Sequence, residues 1–175
     1  MAMETKDIFP VSLFFYLMLQ LLIVSYTDLK TKKIPNVWPF SNLLTFFILF
    51  FLFPGLFELS LRTLFYPTVF FFVGLFFFSI KIVGAGDSKY LVSLFLLVPL
   101  GFQEVALASL VEITFITGVV SFLINTIKNF KKIFRAFKEK KINLIKECYG
   151  KKFPFAPVIL GSWIIFGWKI QKNLF

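Results

Sequence analysis

The chain has 175 residues, 58% of them hydrophobic, 21% aromatic and 16% charged, with a mean hydropathy of +0.85. Soluble domains run at about 45–50% apolar and about 25% charged, and twenty-eight phenylalanines are more than a 20.3 kDa soluble globule has core to bury. The net charge of +10 then reads as the cationic bias of cytoplasmic loops rather than as a nucleic-acid surface.

Uncharged stretches predict six membrane spans, each needing about 20 mostly apolar residues. The first is Ile8 to Thr27. The preceding Met1–Asp7 carries Glu4, Lys6 and Asp7 and so lacks the positive start of a signal peptide. The second runs from Ile34 to Phe57, with the span inside Pro39–Phe53 and Pro35-Asn36 as a turn leading into it. The third is Thr63 to Ile80, whose runs Phe70–Phe72 and Phe76–Phe78 read as lipid-facing bulk. The fourth, Tyr90 to Gln103, reaches spanning length only if its helix starts near Gly86 and takes in Asp87 and Lys89. The fifth, Val105 to Ile127, holds one acid, Glu112, which reads as an interhelical polar contact with Thr114 and Thr117. The sixth is Phe153 to Trp168, where Pro154 and Pro157 suit a helix N-terminus. Trp163 and Trp168, with Trp38, fit interfacial anchoring.

The polar segment 128–152, between spans five and six, is itself patterned. Ile127, Phe130, Ile133, Phe134 and Phe137 recur at helical spacing, with Lys and Arg on the opposite face. That predicts a basic interfacial helix lying on anionic lipid; a plain basic loop obeying the charge rule is the alternative. The expected fold is therefore all-α: a polytopic membrane protein of about six transmembrane helices, one integral-membrane domain over residues 1–175. Fifteen of the nineteen Lys and Arg fall in the loops on one side. This predicts a cell-membrane protein with those loops in the cytoplasm and both termini outside.

Six of the nine acids sit in tails or loops, where solvation is easy. Asp28 at the end of span one, Asp87 at the start of span four and Glu112 inside span five do not. An ionisable group within a span costs about 2.5–3.5 kcal/mol on insertion scales and is a functional candidate by default. Asp28 and Asp87 fall at the same predicted membrane face. Two adjacent carboxylates share a proton, so one can act as general base on a water while the other polarises a carbonyl. With one cysteine, Cys148, and no histidine, metal centres and histidine-dependent nucleophiles lack their ligands, and neither metal nor cofactor is expected. The plainer reading makes each aspartate an interfacial residue near Lys30 or Lys89, with Asp87 also capping the helix that it begins. Gly84 and Gly86 tip the balance, because glycine admits close backbone approach beside Asp87.

These pieces together resemble the type IV prepilin peptidases and preflagellin peptidases, membrane aspartyl proteases with a GxGD signature. Three segments carry the resemblance in the family's order: Asp28-Leu29-Lys30-Thr31-Lys32-Lys33-Ile34-Pro35-Asn36, Gly84-Ala85-Gly86-Asp87-Ser88-Lys89, and Phe153-Pro154-Phe155-Ala156-Pro157. The resemblance implies that Asp28 and Asp87 are the catalytic pair and that Gly84, Gly86 and Lys89 belong to the signature. It also implies substrates of the prepilin type, with a short basic leader cut before a hydrophobic helix at the cytoplasmic face. Lys89 then either tunes the pair or snorkels to headgroups; Pro35, Asn36, Pro154 and Pro157 either line the cleft or only shape the chain. The large bifunctional members carry CxxC pairs in a zinc-binding domain and also N-methylate their product. This chain has neither, so it resembles the small peptidase-only branch and no methylation is expected. Ala85 replaces a frequent Gly, and Ser88 stands where an apolar residue is common. Two other readings stand beside this one: a presenilin or signal-peptide-peptidase type of intramembrane protease, and a small transporter or non-catalytic secretion-system subunit.

Overall fold

The computed structural model describes residues 9–79, 84–130 and 154–173. Within them lie six α-helices: α1 (Val11–Thr31), α2 (Val37–Leu52), α3 (Leu61–Ser79), α4 (Ala85–Leu96), α5 (Leu100–Lys128) and α6 (Ala156–Ile170), with a 3-10 turn at Gln171–Asn173. No strand occurs among the described residues. The basic segment predicted over 128–152 lies almost wholly outside them.

Helix boundaries follow local chemistry. α1 ends where Lys32 turns left-handed (φ 52°), its N–H reaching back to the Asp28 carbonyl at 2.8 Å. A left-handed residue is a common way to end a helix, though usually a glycine takes the position. The reversal sends Ile34 and Pro35 back across the end of the bundle. There the Pro35 carbonyl accepts from Trp38 N at 3.3 Å and α2 begins. The start of α3 is capped by Ser60, whose Oγ accepts from Thr63 N at 3.2 Å.

α1 packs on α6, α3 and α2 on α4, and α5 on α6. The fully buried residues Leu17 and Leu21 of α1, Tyr90 of α4, and Ile159 and Phe166 of α6 mark the centre of this packing. Trp163 corrects the reading of it as an interfacial anchor. Its ring stacks on Phe14 at 5.5 Å, its Nε1 donates to the Phe14 carbonyl, and only 3% of it is exposed. An indole with its N–H satisfied is a core residue. Trp168, by contrast, is exposed.

α1, α3 and α5 are long and apolar enough to cross a membrane, whereas α2 and α6 are apolar but shorter. Phe71, Phe72, Phe76 and Phe78 of α3 and Phe115 and Phe122 of α5 point outward. An apolar surface of that extent belongs in lipid, and the molecule is a membrane protein. Phe70 departs from its run: its ring lies 4.5 Å from that of Phe95, against the core. Glu112 makes its interhelical contact with Lys169 of α6, at 2.7 and 2.8 Å, rather than with the threonines.

The fourth predicted element needs the largest revision. Its helix does begin beside Gly86, but it ends at Leu96, and Leu100–Gln103 open α5 instead. Pro99 causes the break. It has no N–H to offer the Phe95 carbonyl four residues back, and it disfavours helix at Val98. Pro67, inside α3, likewise leaves the Thr63 carbonyl without its helical donor. One buried side chain serves both gaps: Gln103 Nε2 lies 3.1 Å from Thr63 O, 3.2 Å from Phe95 O and 3.1 Å from Val98 O. Gln103→Leu removes these bonds in an apolar interior: the Phe95 carbonyl keeps the Val98 N–H at 3.3 Å, while those of Thr63 and Val98 lose this donor. We expect it to destabilise the bundle by about 1–3 kcal/mol, read as a lower melting temperature of the detergent-solubilised protein.

Candidate active site

Asp28 lies in the last turn of α1, on the stripe of Leu17, Leu21, Val24 and Ser25 that faces the bundle, and is 2% exposed. Burying a carboxylate calls for a partner. Its Oδ2 accepts from the backbone N–H of Ala156, the first residue of α6, at 3.0 Å. That N–H belongs to the first turn of a helix and has no donor role inside it. The sequence around Phe155-Ala156-Pro157 therefore presents a backbone donor to an acid 128 positions earlier. Nearby Lys30 directs its Nζ over the Tyr26 ring, 4.6 Å from the centroid.

Asp87 occupies the first turn of α4. Its Oδ2 accepts from Gly84 N at 3.1 Å, and its own N–H bonds the Gly84 carbonyl at 3.1 Å. The carboxylate thus closes one half of a capping box on the helix that it begins. The capping reading is borne out as geometry. Each aspartate is thus oriented by a backbone N–H at the start of a helix, Asp87 by its own and Asp28 by that of α6.

The two acids lie toward one end of the bundle, Asp28 at the end of α1 and Asp87 at the start of α4, with the turn that follows α1 lying against Gly86. α4 and α6 run in the same direction, and Leu91 and Leu94 share a small cavity wall with Ile159 and Ser162. Asp87 precedes Leu91 by about one turn and Ala156 precedes Ile159 by about one turn; Ala156 in turn holds Asp28. The turn between α1 and α2 meets the glycine pair directly. A Cβ built on Gly86 falls 2.8 Å from the Ile34 carbonyl oxygen and 3.4 Å from its nitrogen. Gly86 is glycine because another backbone lies against it.

The other candidates fall around this end. Asn36 precedes α2 and Pro35 forms its entry turn. Pro157 is in the first turn of α6, and Pro154 precedes the helix. Lys89 is exposed. Together with Ala85 and Ser88 it lines an apolar cavity of about 450 Å³ between α2, α3 and α4, on the face of α4 turned away from Asp87. Gly74 of α3 closes against Ser88 there, a contact too tight for a Cβ, which gives Ser88 a packing role in place of the apolar residue expected. No cluster of three or more His, Cys, Asp or Glu able to hold a metal occurs among the described residues.

Sequence reasoning passed over the polar residues buried deeper: Gln20 and Asn42 in the first two apolar runs, and Tyr90 and Ser93 in the fourth, all hydrogen-bonded to one another. Their signal was present as solitary amides within apolar stretches. Comparison with known proteins matches residues 15–125 to the model of the type IV leader peptidase family. That span takes in Asp28, the Ile34-Pro35-Asn36 turn and Gly84–Lys89, and leaves Pro154 and Pro157 beyond it. No curated protein and no solved structure matches the chain.

Proposed function

Because the chain belongs to the type IV leader peptidase family, we propose that it is a membrane aspartic endopeptidase that removes the short leader of prepilin-like or preflagellin-like proteins at the cytoplasmic membrane face. What supports this reading is that Asp28 and Asp87 lie toward one end of the helix bundle, each with an oxygen held by a backbone N–H.

In this mechanism one carboxylate is ionised and takes a proton from a water molecule. The water oxygen attacks the carbonyl carbon of the scissile peptide, which the protonated carboxyl polarises through a hydrogen bond. The C–N bond then breaks, the leaving nitrogen receives a proton from the pair, and the pair returns to its single shared proton. The held oxygens keep both groups from rotating away, which is the positioning that such a step needs. Gly86 lets the α1–α2 turn and the start of α4 approach closely, and Gly84 leaves room for the Asp87 carboxylate.

The proposed topology is six helices in one membrane-embedded unit, with both termini outside and the basic segment 128–152 on anionic lipid. α4 covers only part of the membrane depth, since its 12 residues span about 18 Å. Substrate leaders enter from the cytoplasm, and no N-methylation follows. Co-expression with a prepilin-like protein tests the reading. We expect a product whose new N-terminus lies at the cytoplasmic boundary of the substrate's apolar helix. Cuts deep within that helix would instead assign the chain to the presenilin-like class, and an uncut substrate would remove the peptidase reading.

A further inference from the structure

The four polar side chains buried between α1, α2 and α4 form a closed ring of one-way hydrogen bonds. Tyr90 donates its hydroxyl to Gln20 Oε1 at 2.9 Å. Gln20 Nε2 donates to Asn42 Oδ1 at 2.7 Å. Asn42 Nδ2 donates to Ser93 Oγ at 3.1 Å, and Ser93 returns its proton to the Tyr90 carbonyl at 2.9 Å. All four residues are at most 3% exposed. Each donor meets an acceptor in turn, and reversing either amide alone would set like groups against each other between Gln20 and Asn42, in a place closed to bulk solvent.

Gln20 and Tyr90 ride on the two helices that carry the aspartates. Tyr90 follows Asp87 by about one turn of α4, and Gln20 precedes Asp28 by just over about two turns of α1. Apolar packing holds helices together without direction, leaving rotation and sliding loosely set. Hydrogen bonds restrict both distance and angle. The ring also lies on the side of α4 that faces α1, so any rotation of α4 that moved Asp87 would have to break it.

We infer that the Tyr90–Gln20–Asn42–Ser93 ring sets the register of α4 against α1 and thereby the separation of Asp28 and Asp87; Gln20 and Tyr90 are positioning residues. This inference rests on the aspartate reading above. A change in their separation alters how strongly the carboxylates split their shared proton, so the ring shapes the pH profile as well as the rate.

The full-length protein is assayed in liposomes on a prepilin-like substrate, as wild type, Tyr90→Phe, Gln20→Leu, the double variant and Asp28→Asn. Tyr90→Phe is expected to lower kcat by about 10- to 100-fold with KM unchanged, and to move the two limbs of the pH profile relative to each other. Adding Gln20→Leu is expected to lower it by less than Gln20→Leu does alone, since the two share the Tyr90–Gln20 bond and only the bond to Asn42 is lost in addition. A second readout needs no turnover. In a Cys148→Ser background, Asp28→Cys with Asp87→Cys should be joined by a bifunctional thiol reagent, and Tyr90→Phe should slow that several-fold. Wild-type kcat, pH profile and cross-linking in Tyr90→Phe would overturn the ring's role and leave the aspartates standing. So would a loss of rate that only follows the folded fraction, with pH profile and cross-linking unmoved. Should Tyr90→Phe not fold, Ser93→Ala takes its place with the same expected results and the same overturning ones. Normal cleavage by Asp28→Asn would overturn the aspartate reading, and this inference with it.

Discussion

Asp28→Asn and Asp87→Asn are each expected to lower leader cleavage by about 10²–10⁴-fold, the range that a positioned acid or base contributes. Both variants still reach the membrane. Asparagine keeps the shape of aspartate and can accept the same backbone N–H, so the Ala156 bond to position 28 and the Gly84 bond to position 87 persist. What is lost is the ability to carry or release a proton. The double variant falls no further than the worse single one, because the two groups act as one unit and removing either removes the step. A gel of co-expressed substrate, with membrane fractionation to show insertion, reads all three. Normal processing by either single variant would exclude a two-aspartate mechanism. Asp28→Glu makes a finer comparison: it retains the acid but pushes it about one methylene further from the α1 backbone, away from its donor on α6. We expect partial activity at most.

The helical fold was legible wherever a long apolar run had no proline that ends its helix; Pro67 stays inside α3. The runs that became α1, α3 and α5 each carry enough uninterrupted apolar sequence to declare a span, and their helices fall where the runs do. The fourth run misled because hydrophobicity continues through Leu96–Val98 while the backbone stops at Pro99. Apolar content reports burial or lipid, and proline reports hydrogen bonding, so the second signal decides the boundary. Trp163 misled for a related reason. A tryptophan is equally at home at a headgroup or in a core with its N–H satisfied, and only the carbonyl of Phe14, 149 positions away, decides which.

The aspartates were found because an acid beside an apolar run is expensive, a property of the residue and its neighbours in sequence. Their partners could not be found that way. The N–H that holds Asp28 belongs to a residue with no polar side chain, Ala156, and backbone donors leave no mark on composition. Gln103 is the same case in reverse. It looks like one polar residue at a span end, and its use appears only when Pro67 inside α3 and Pro99 just before α5 are seen to withhold N–H groups from carbonyls beside it.

Gly86→Val is expected to abolish most leader cleavage, and Gly55→Ala to leave it unchanged. The difference follows from what each Cβ would meet. At Gly55 nothing lies within 4 Å. At Gly86 the added carbon falls 2.8 Å from Ile34 O and 3.3 Å from Ile34 Cβ, and a backbone oxygen cannot swing aside as a flexible side chain can. Either the α1–α2 turn lifts off or the start of α4 shifts, and both segments are tied to an aspartate. A displacement of about 1 Å at such a site is enough to cost about 10²-fold in rate. Gly86→Ala makes the same contact without valine's branches and should keep more of the activity. Gly84→Ala places its carbon 3.0 Å from Asp87 Oδ2, which the carboxylate can relieve by a small rotation, so its loss should be milder than that of Gly86→Val. The order Gly55→Ala, Gly84→Ala, Gly86→Val in cleavage rate, measured on protein of equal membrane abundance, separates close approach at the site from a general effect of removing glycine. Activity of Gly86→Val equal to that of Gly55→Ala would mean that the contact between Ile34 and Gly86 does not set the geometry of the acids.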